Sequence, residues 1–204
     1  MNRLDVAPTR PWQVLLLGGA SGTGKTSISY RLAHYFAIGI TEVDDFQAIL
    51  ERMTTPEQQP VLHYWHTHPE AAQLLAEEIM ANGIAVGQVM MPALTAVIAN
   101  HLKSNAPIVL EGDFILPALA AQTTFGWSPN AGQVRAVFLY EEDEAQLLNN
   151  FLQREPARGP QHKRARVSWL YGQWLKKEAE RYNIVALPAR PWDNLFERVL
   201  AAVS

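Results

Sequence analysis

The chain has 204 residues, of which 48% are apolar and 18% charged, and its formal net charge is −3. This size predicts one domain with a substantial core, and the charge balance gives no sign of a nucleic-acid or membrane-surface partner. The chain contains no cysteine, which excludes disulfides, thiolate zinc sites and a cysteine nucleophile.

The amino-terminal segment, residues 1–11, contains Pro8 and Pro11 and is expected to be an irregular lead-in. It lacks the apolar core of a signal peptide. No apolar run in the sequence approaches the roughly 18–20 residues that cross a membrane. These features predict a cytoplasmic protein with no membrane partner.

A glycine-rich motif follows the first predicted strand. Residues 14–17 are continuously apolar, as in a strand buried on both faces, and residues 19–26 match the phosphate-binding pattern G-x-x-x-x-G-K-[ST]. In such a P-loop the backbone amides and the following helix N-terminus bind phosphates, Lys25 reaches the β- and γ-phosphates, and the Thr26 hydroxyl ligates Mg²⁺. The predicted nucleotide-binding residues of the motif are Gly19, Ser21, Gly22, Thr23, Gly24, Lys25 and Thr26.

Two acids follow the second predicted strand, residues 39–43. Asp44 is expected at the carboxyl end of the sheet, beside the γ-phosphate, where a carboxylate can accept the proton of an attacking hydroxyl. Asp45 is the rival for this role and a second candidate for substrate binding. Either acid could instead cap the helix expected from Phe46 to Met53, and Asp45 is the better cap because it adjoins that helix.

A long insertion, residues 54–104, separates the second strand from the third. Helices are expected over residues 70–81 and from about 86 to 102, with Asn82-Gly83 between them. The insertion is predicted to form the substrate side of the protein.

An unusual stretch of the insertion, residues 63–69, is rich in histidine and aromatic side chains. Three interpretations stay open. His63, His66 and His68 could hold a metal through three imidazoles. His63 and Trp65 could line a substrate pocket. The stretch could also be an aromatic patch packed under a helical cap, with its histidines at the surface.

Acids also follow the third predicted strand, residues 106–110. Glu111 comes directly after a buried strand, and Asp113 lies two residues on, on the same side of an extended chain. Both are candidates for substrate binding, and Glu111 is also a candidate ligand of Mg²⁺. The alternative is that they are solvent-exposed loop acids. A further strand is expected over residues 134–140.

An arginine-rich segment, residues 154–166, is interrupted by proline and glycine. Arginine forks can close over a transferring phosphoryl group, so at least one of Arg154, Arg158, Arg164 and Arg166 is predicted to belong to a lid. Arg154 and Arg158 are the first choices, because four residues apart they would share a helical face. A solvated basic loop is the alternative. A helix over 167–182, a strand over 184–187 and a helix over 192–203 complete the chain.

The alternation of strands and helices predicts a parallel α/β sheet with right-handed crossovers. Three segments, residues 19–26, 43–46 and 109–112, most resemble the 2-phosphoglycerate kinase-like group of P-loop small-molecule kinases. Chloramphenicol phosphotransferases and zeta-toxin-type kinases are also similar. The resemblance implies one P-loop kinase domain over residues 1–204, a three-layer sandwich with a five-stranded parallel sheet, a helical insertion at 54–104 and an arginine lid at 154–166.

The same resemblance implies roles for individual residues. Asp44 would be the base, Glu111 would hold Mg²⁺ through water or bind a substrate hydroxyl, and Arg190 would border the adenine and stack on it. A proline turn with Trp192 in the core is the alternative for the last segment. Gln47 stands where the 2-phosphoglycerate kinase-like pattern commonly has an arginine, which argues against a phosphorylated acid as acceptor.

These observations predict a kinase that uses ATP and Mg²⁺ to phosphorylate a hydroxyl of a small molecule. The aromatic side chains of the insertion favour a nucleoside, an antibiotic-like compound or a sugar-type acceptor. The alternative is a nucleotide-binding switch or regulatory ATPase that acts on a protein partner. The lack of an Asn-Lys-x-Asp guanine signature in the sequence argues against this alternative. The sequence does not indicate the oligomeric state.

Overall fold

The computed structural model describes residues 8–204, so residues 1–7 of the expected lead-in lie outside the described residues. In chain order the elements are β1 (Val14–Gly19), α1 (Lys25–Phe36), β2 (Gly39–Glu42), α2 (Val43–Met53), α3 (Tyr64–Thr67), α4 (Ala76–Ser104), β3 (Ile108–Gly112), α5 (Pro117–Ala120), β4 (Thr124–Phe125), β5 (Ser128–Pro129), β6 (Val134–Tyr140), α6 (Glu144–Arg154), α7 (His162–Arg181), β7 (Val185–Pro188) and α8 (Leu195–Val203). Short 3-10 turns cover Pro69–Gln73, Pro156–Arg158 and Trp192–Asn194.

A sheet of five parallel strands in the order β2-β3-β1-β6-β7 forms the centre of the molecule. Strand β1 is buried along its whole length, and its alternate side chains face opposite layers. Val14 and Leu16 pack in the layer that contains α4 and α7, whereas Leu15 and Leu17 pack in the layer that contains α1 and α8. The predicted three-layer α/β fold is confirmed.

The sheet order places the loops of interest at one edge. Strands β1 and β3 pair directly, with Gly18 opposite Gly112, and β2 pairs with β3, with Glu42 opposite Glu111. Because parallel strands end on the same side, the segments that follow β1, β2 and β3 meet at their carboxyl ends.

The insertion differs from its predicted form. One continuous helix, α4, spans Ala76–Ser104 in place of two helices separated at Asn82-Gly83, so the predicted break is wrong. Its buried residues Val86, Met90, Leu94 and Ile98 recur every fourth position and pack on the sheet, and this burial outweighs the low helix propensity of Gly83.

Helix α4 is also the only helix in residues 8–204 that is long and apolar enough to cross a membrane by length and composition. The buried helix of a soluble protein passes the same test. The expectation that no segment reaches that length therefore fails for α4, although the criterion by itself is weak support for a membrane span.

Gly83 offers a test of the continuous helix. A Cβ atom at this position would meet no heavy atom within 4 Å, and alanine is favoured over glycine in a helix interior by about 1 kcal/mol. We expect Gly83→Ala to raise the free energy of unfolding by about 0.5–1 kcal/mol, measured by urea denaturation. The control is Gly87→Ala in the same helix, which should destabilise because its Cβ would lie 2.8 Å from Leu116 Cδ2. Equal effects of the two changes would contradict this account.

Candidate active site

The glycine-rich loop has the conformation that phosphate binding requires. Strand β1 ends at Gly19, and α1 begins at Lys25. Gly22 and Gly24 have φ angles of 86° and 83°, a region that L side chains rarely adopt. A Cβ at Gly24 would overlap the Trp192 indole, so this glycine is also required for the close approach of that ring.

Lys25 and Thr26 each contact an acid from the neighbouring strand β3 or the residue after it. The buried Lys25 Nζ donates to Asp113 Oδ1 at 2.6 Å and to the Ala20 carbonyl at 3.2 Å. The Thr26 hydroxyl donates to Glu111 Oε1 at 2.8 Å. The sequence-predicted residues Lys25, Thr26, Glu111 and Asp113 therefore lie together.

Glu111 is buried, and its Oε2 atom has no hydrogen-bond partner within residues 8–204. Burial raises the pKa of Glu111, while the Lys25 ammonium and the Thr26 hydroxyl oppose the shift. An acid whose second oxygen lacks a partner, beside a threonine hydroxyl, is a suitable donor pair for a hard cation such as Mg²⁺. No group of three or more acids or histidines in the described chain is placed to hold a metal alone.

Asp44 lies in the first turn of α2 and faces the same space. Together with Glu42, Glu111 and Asp113 it lines a cavity of about 770 Å³ that the P-loop also borders. Desolvation raises the pKa of Asp44, the negative charge of Asp113 raises it further, and the Lys25 ammonium lowers it. Asp45 also lies in that first turn, but it is not among the residues that line the cavity.

The raised pKa of Asp44 predicts a pH dependence. A general base works only when deprotonated, so if Asp44 has the predicted role, activity should be lost as the pH falls through the Asp44 pKa. Because that pKa is raised, the acid limb of kcat/KM should lie above the ordinary aspartate range, which is near 4. The pH profile of kcat/KM measures the free enzyme's groups and checks this. An acid limb below pH ~4 would contradict it.

The arginine segment divides into two groups. Arg154 and Arg164 line the large cavity with Arg190, whereas Arg158 and Arg166 are not among its lining residues. Arg158 pairs with Glu155 at 2.7 Å, and Arg166 pairs with Glu144 at 3.0 Å. Of the first two choices, the structure thus brings only Arg154 to the site.

The cavity also has eight lining residues that were not among the sequence candidates. They are Ser27, Glu42, Gly112, Glu141, Asn150, Gln153, Ala189 and Trp192. Asn150 lies one turn before Arg154 on α6, so helical spacing from that arginine is the pattern that could have identified it. Asn150 Nδ2 donates to the Gly22 carbonyl at 2.9 Å, which fixes α6 against the P-loop.

Arg190 follows β7, which forms the opposite edge of the sheet from β2. Its Nε contacts Glu141 Oε2 at 3.4 Å, and its Nη2 donates to Asn150 Oδ1 at 3.2 Å. Trp192 covers Gly24 nearby. The planar guanidinium and the indole are suitable surfaces for a nucleotide base, which keeps the predicted role of Arg190 open.

A second, smaller cavity of about 180 Å³ adjoins the first and shares Ser21 and Asp113 with it. Its lining is mainly apolar and aromatic and comes from the insertion, from Phe114 and from α7. The lining residues are Ser21, Gln47, Trp65, Ile79, Met80, Gly83, Val86, Asp113, Phe114, Val167, Ser168 and Tyr171. Trp65 thus occupies the predicted substrate side.

The histidine stretch does not form a metal site. His63 is buried and its Nε2 lies 3.2 Å from Thr54 Oγ1, away from both cavities. His66 lies 3.5 Å from Glu51, and His68 stacks on Tyr64. The three imidazoles have different partners, so the metal interpretation is wrong. Of the substrate-wall pair, only Trp65 lines a cavity.

No protein-family model matches the chain. A 2-phosphoglycerate kinase of Pyrococcus furiosus is 29% identical over 116 residues, which cover 51% of this chain and 36% of that protein. The corresponding enzyme of Pyrococcus horikoshii is 27% identical over the same shares. The match therefore spans only about a third of the length of these curated relatives.

Solved structures resemble the chain over nearly its whole length. A sugar kinase of Janibacter sp. HTCC2649 covers 94% of both chains with a TM-score of 0.54 and 18% identity. The protein TT1252 of Thermus thermophilus covers 96% of this chain and 97% of its own, with a TM-score of 0.55 and 14% identity. Together with the motif at residues 19–26, these likenesses show that the chain has the P-loop kinase fold and resembles 2-phosphoglycerate kinases over half its length.

Proposed function

We propose that the protein is a kinase that transfers the γ-phosphoryl group of ATP to a hydroxyl of a small molecule. The observation that carries the proposal is the meeting of the two cavities at Ser21 and Asp113. The larger cavity contains the P-loop and Asp44, and the smaller one has a lining suited to an organic molecule. Because the two cavities are neighbours, a donor bound in the larger one and an acceptor bound in the smaller one would lie close to each other.

Each residue of the site can be given a role in the proposed transfer. The P-loop amides and Lys25 would hold the β- and γ-phosphates, with Lys25 leaving Asp113 when nucleotide binds. Asp44 would orient the acceptor hydroxyl and take its proton as the oxygen attacks the γ-phosphorus, while the bond to the β-γ bridging oxygen breaks. Arg154 and Arg164 would stabilise charge on the transferring group. Mg²⁺, held by Thr26 and Glu111, would neutralise charge on the phosphates.

The smaller cavity favours an uncharged acceptor. Among residues 8–204, no lysine, arginine or histidine lines it, and the only charged side chain that does, Asp113, is negative. Gln47 supplies a neutral amide in the position where the resembled group commonly has an arginine. A phosphorylated acid would bury its charge there without a partner. A nucleoside, an antibiotic-like compound or a sugar derivative with an apolar face fits this lining better.

A screen of hydroxyl compounds tests the function. ADP formation from ATP and Mg²⁺ is measured with nucleosides, sugars, hydroxylated antibiotics and 2-phosphoglycerate. We expect little ADP without an acceptor and rapid formation with one of the uncharged alcohols. Turnover with 2-phosphoglycerate alone would overturn the acceptor class. Steady acceptor-free hydrolysis that a protein stimulates would favour the regulatory ATPase instead.

We further propose that the protein works in the cytoplasm, without nucleic acid or a membrane as partner.

A further inference from the structure

Glu155 forms ion pairs with three of the four arginines in the arginine-rich segment, residues 154–166. Its Oε1 accepts from Arg154 Nε at 3.0 Å, from Arg154 Nη2 at 2.9 Å and from Arg164 Nη1 at 2.9 Å. Its Oε2 accepts from Arg158 Nη1 at 2.7 Å. These bonds lower the pKa of Glu155 to about 2, with the Arg158 and Arg164 bonds as the largest causes. The carboxylate is therefore charged at neutral pH.

The two cavity arginines share a second support, the ring of Phe151. The guanidinium of Arg164 lies 4.2 Å from the ring centroid and that of Arg154 lies 5.4 Å from it. Phe151 is fully buried and packs against the P-loop, since a Cβ at Gly22 would lie 3.0 Å from the ring. Glu155 and Phe151 together therefore determine the positions of these two guanidinium groups relative to the P-loop.

The geometry leaves donors available for a ligand. A guanidinium carries five N–H bonds. Arg154 uses Nε and Nη2 on Glu155, and Arg164 uses Nη1 on Glu155 and on Gln161 Oε1. Nη1 of Arg154 and Nε and Nη2 of Arg164 are not engaged in these bonds. Both residues line the nucleotide cavity, so the carboxylate can hold the arginines while their other N–H groups contact a phosphate.

We propose that Glu155 is a positioning residue that aims Arg154 and Arg164 at the terminal phosphoryl group of a bound nucleoside triphosphate. The inference rests on the proposed nucleotide site. Three guanidinium groups converging on one point would repel each other without a negative charge among them. Glu155 removes that repulsion and leaves a net positive charge facing the cavity.

Nucleotide binding tests this role without knowledge of the acceptor. Calorimetry with Mg²⁺ compares ADP with the β,γ-imido analogue of ATP, on wild type and on Glu155→Gln. We expect the variant to bind the analogue about tenfold more weakly, as for the loss of one charge-assisted hydrogen bond, and to bind ADP within about twofold of wild type. Glu155→Asp keeps the charge and should recover most of the analogue affinity.

Two controls separate positioning from a general effect on the fold. Glu178→Gln removes an acid that pairs with Arg181 at 3.6 Å near the other end of α7, and it should change neither affinity. In an Arg154→Ala, Arg164→Ala background, Glu155→Gln should have no further effect on analogue binding, because it acts through those arginines.

Three results would overturn the inference. The first is that Glu155→Gln loses affinity equally for ADP and for the analogue. The second is that its affinity for the analogue does not change. The third is that it binds the analogue more tightly, which would mean that Glu155 competes with the phosphate for the arginines. A wild-type protein that binds neither nucleotide would instead overturn the proposed function. Wild-type binding of both nucleotides with an unaffected Glu155→Gln variant would overturn this inference alone.

Discussion

Replacing Asp44 by asparagine is expected to lower kcat by about 10²- to 10⁴-fold, the usual contribution of a general base. The amide keeps the shape of the side chain but cannot take the proton of the attacking hydroxyl. The P-loop, Lys25 and Thr26 are untouched, so the dissociation constant for ADP should stay within about twofold of wild type. Acceptor-dependent ADP formation gives the rate, and calorimetry gives the affinity.

The neighbouring acid provides the matched control for this prediction. Asp45 lies in the same turn of α2 but not on the wall of the nucleotide cavity. Asp45→Asn should therefore leave kcat within about threefold of wild type. If Asp45→Asn abolishes transfer while Asp44→Asn remains active, the assignment of the base is reversed.

A loss of about 10³-fold or more in kcat is expected for Arg164→Ala, in the range measured for arginines that stabilise a transferring phosphoryl group. Arg164 lines the larger cavity and packs on Phe151, and its Nε and Nη2 atoms have no hydrogen-bond partner within residues 8–204. Its removal should affect the transition state more than the ground state, so kcat should fall more than KM for ATP rises. Steady-state kinetics at saturating acceptor separates the two effects.

Arg158→Ala is the comparison for Arg164→Ala. Both arginines pair with Glu155, but Arg158 has 61% of its side chain exposed and does not line the cavity. We expect its loss to change kcat by no more than about threefold, as for an exposed ion pair. A larger effect of Arg158→Ala than of Arg164→Ala would show that the wrong arginine had been assigned to the site.

The sequence was sufficient for the phosphate-binding end of the site. The motif at residues 19–26 has a known backbone geometry. The short strand pattern before Asp44 and the apolar run before Glu111 predict two parallel strands, which end on the same side of the sheet. The choice of Asp113 as a nearby acid also follows from this, and the structure places it 2.6 Å from Lys25. Local pattern decides these features, so they can be read without knowledge of the tertiary structure.

The positions of the arginines in residues 154–166 could not be predicted from the sequence pattern. Pairing Arg154 with Arg158 assumed that a helix continues through both, whereas α6 ends at Arg154 and a 3-10 turn begins at Pro156. Arg164 reaches the cavity because α7 returns beside α6, which no spacing rule specifies. The role of Glu155 has the same origin, since its partners come from two helices and the turn between them. The uninterrupted α4 likewise depends on burial against the sheet.

The ion pair between Lys25 and Asp113 has a consequence for the loop before nucleotide arrives. The lysine already has an internal counter-ion, so an incoming anion must displace a carboxylate and not merely water. Orthophosphate and sulfate offer one tetrahedral group for that exchange, whereas a triphosphate also engages the successive amides of the loop. A triphosphate would therefore compete with the carboxylate for Lys25 more effectively than a single tetrahedral anion, because its bonds to the loop amides would offset the loss of the ion pair.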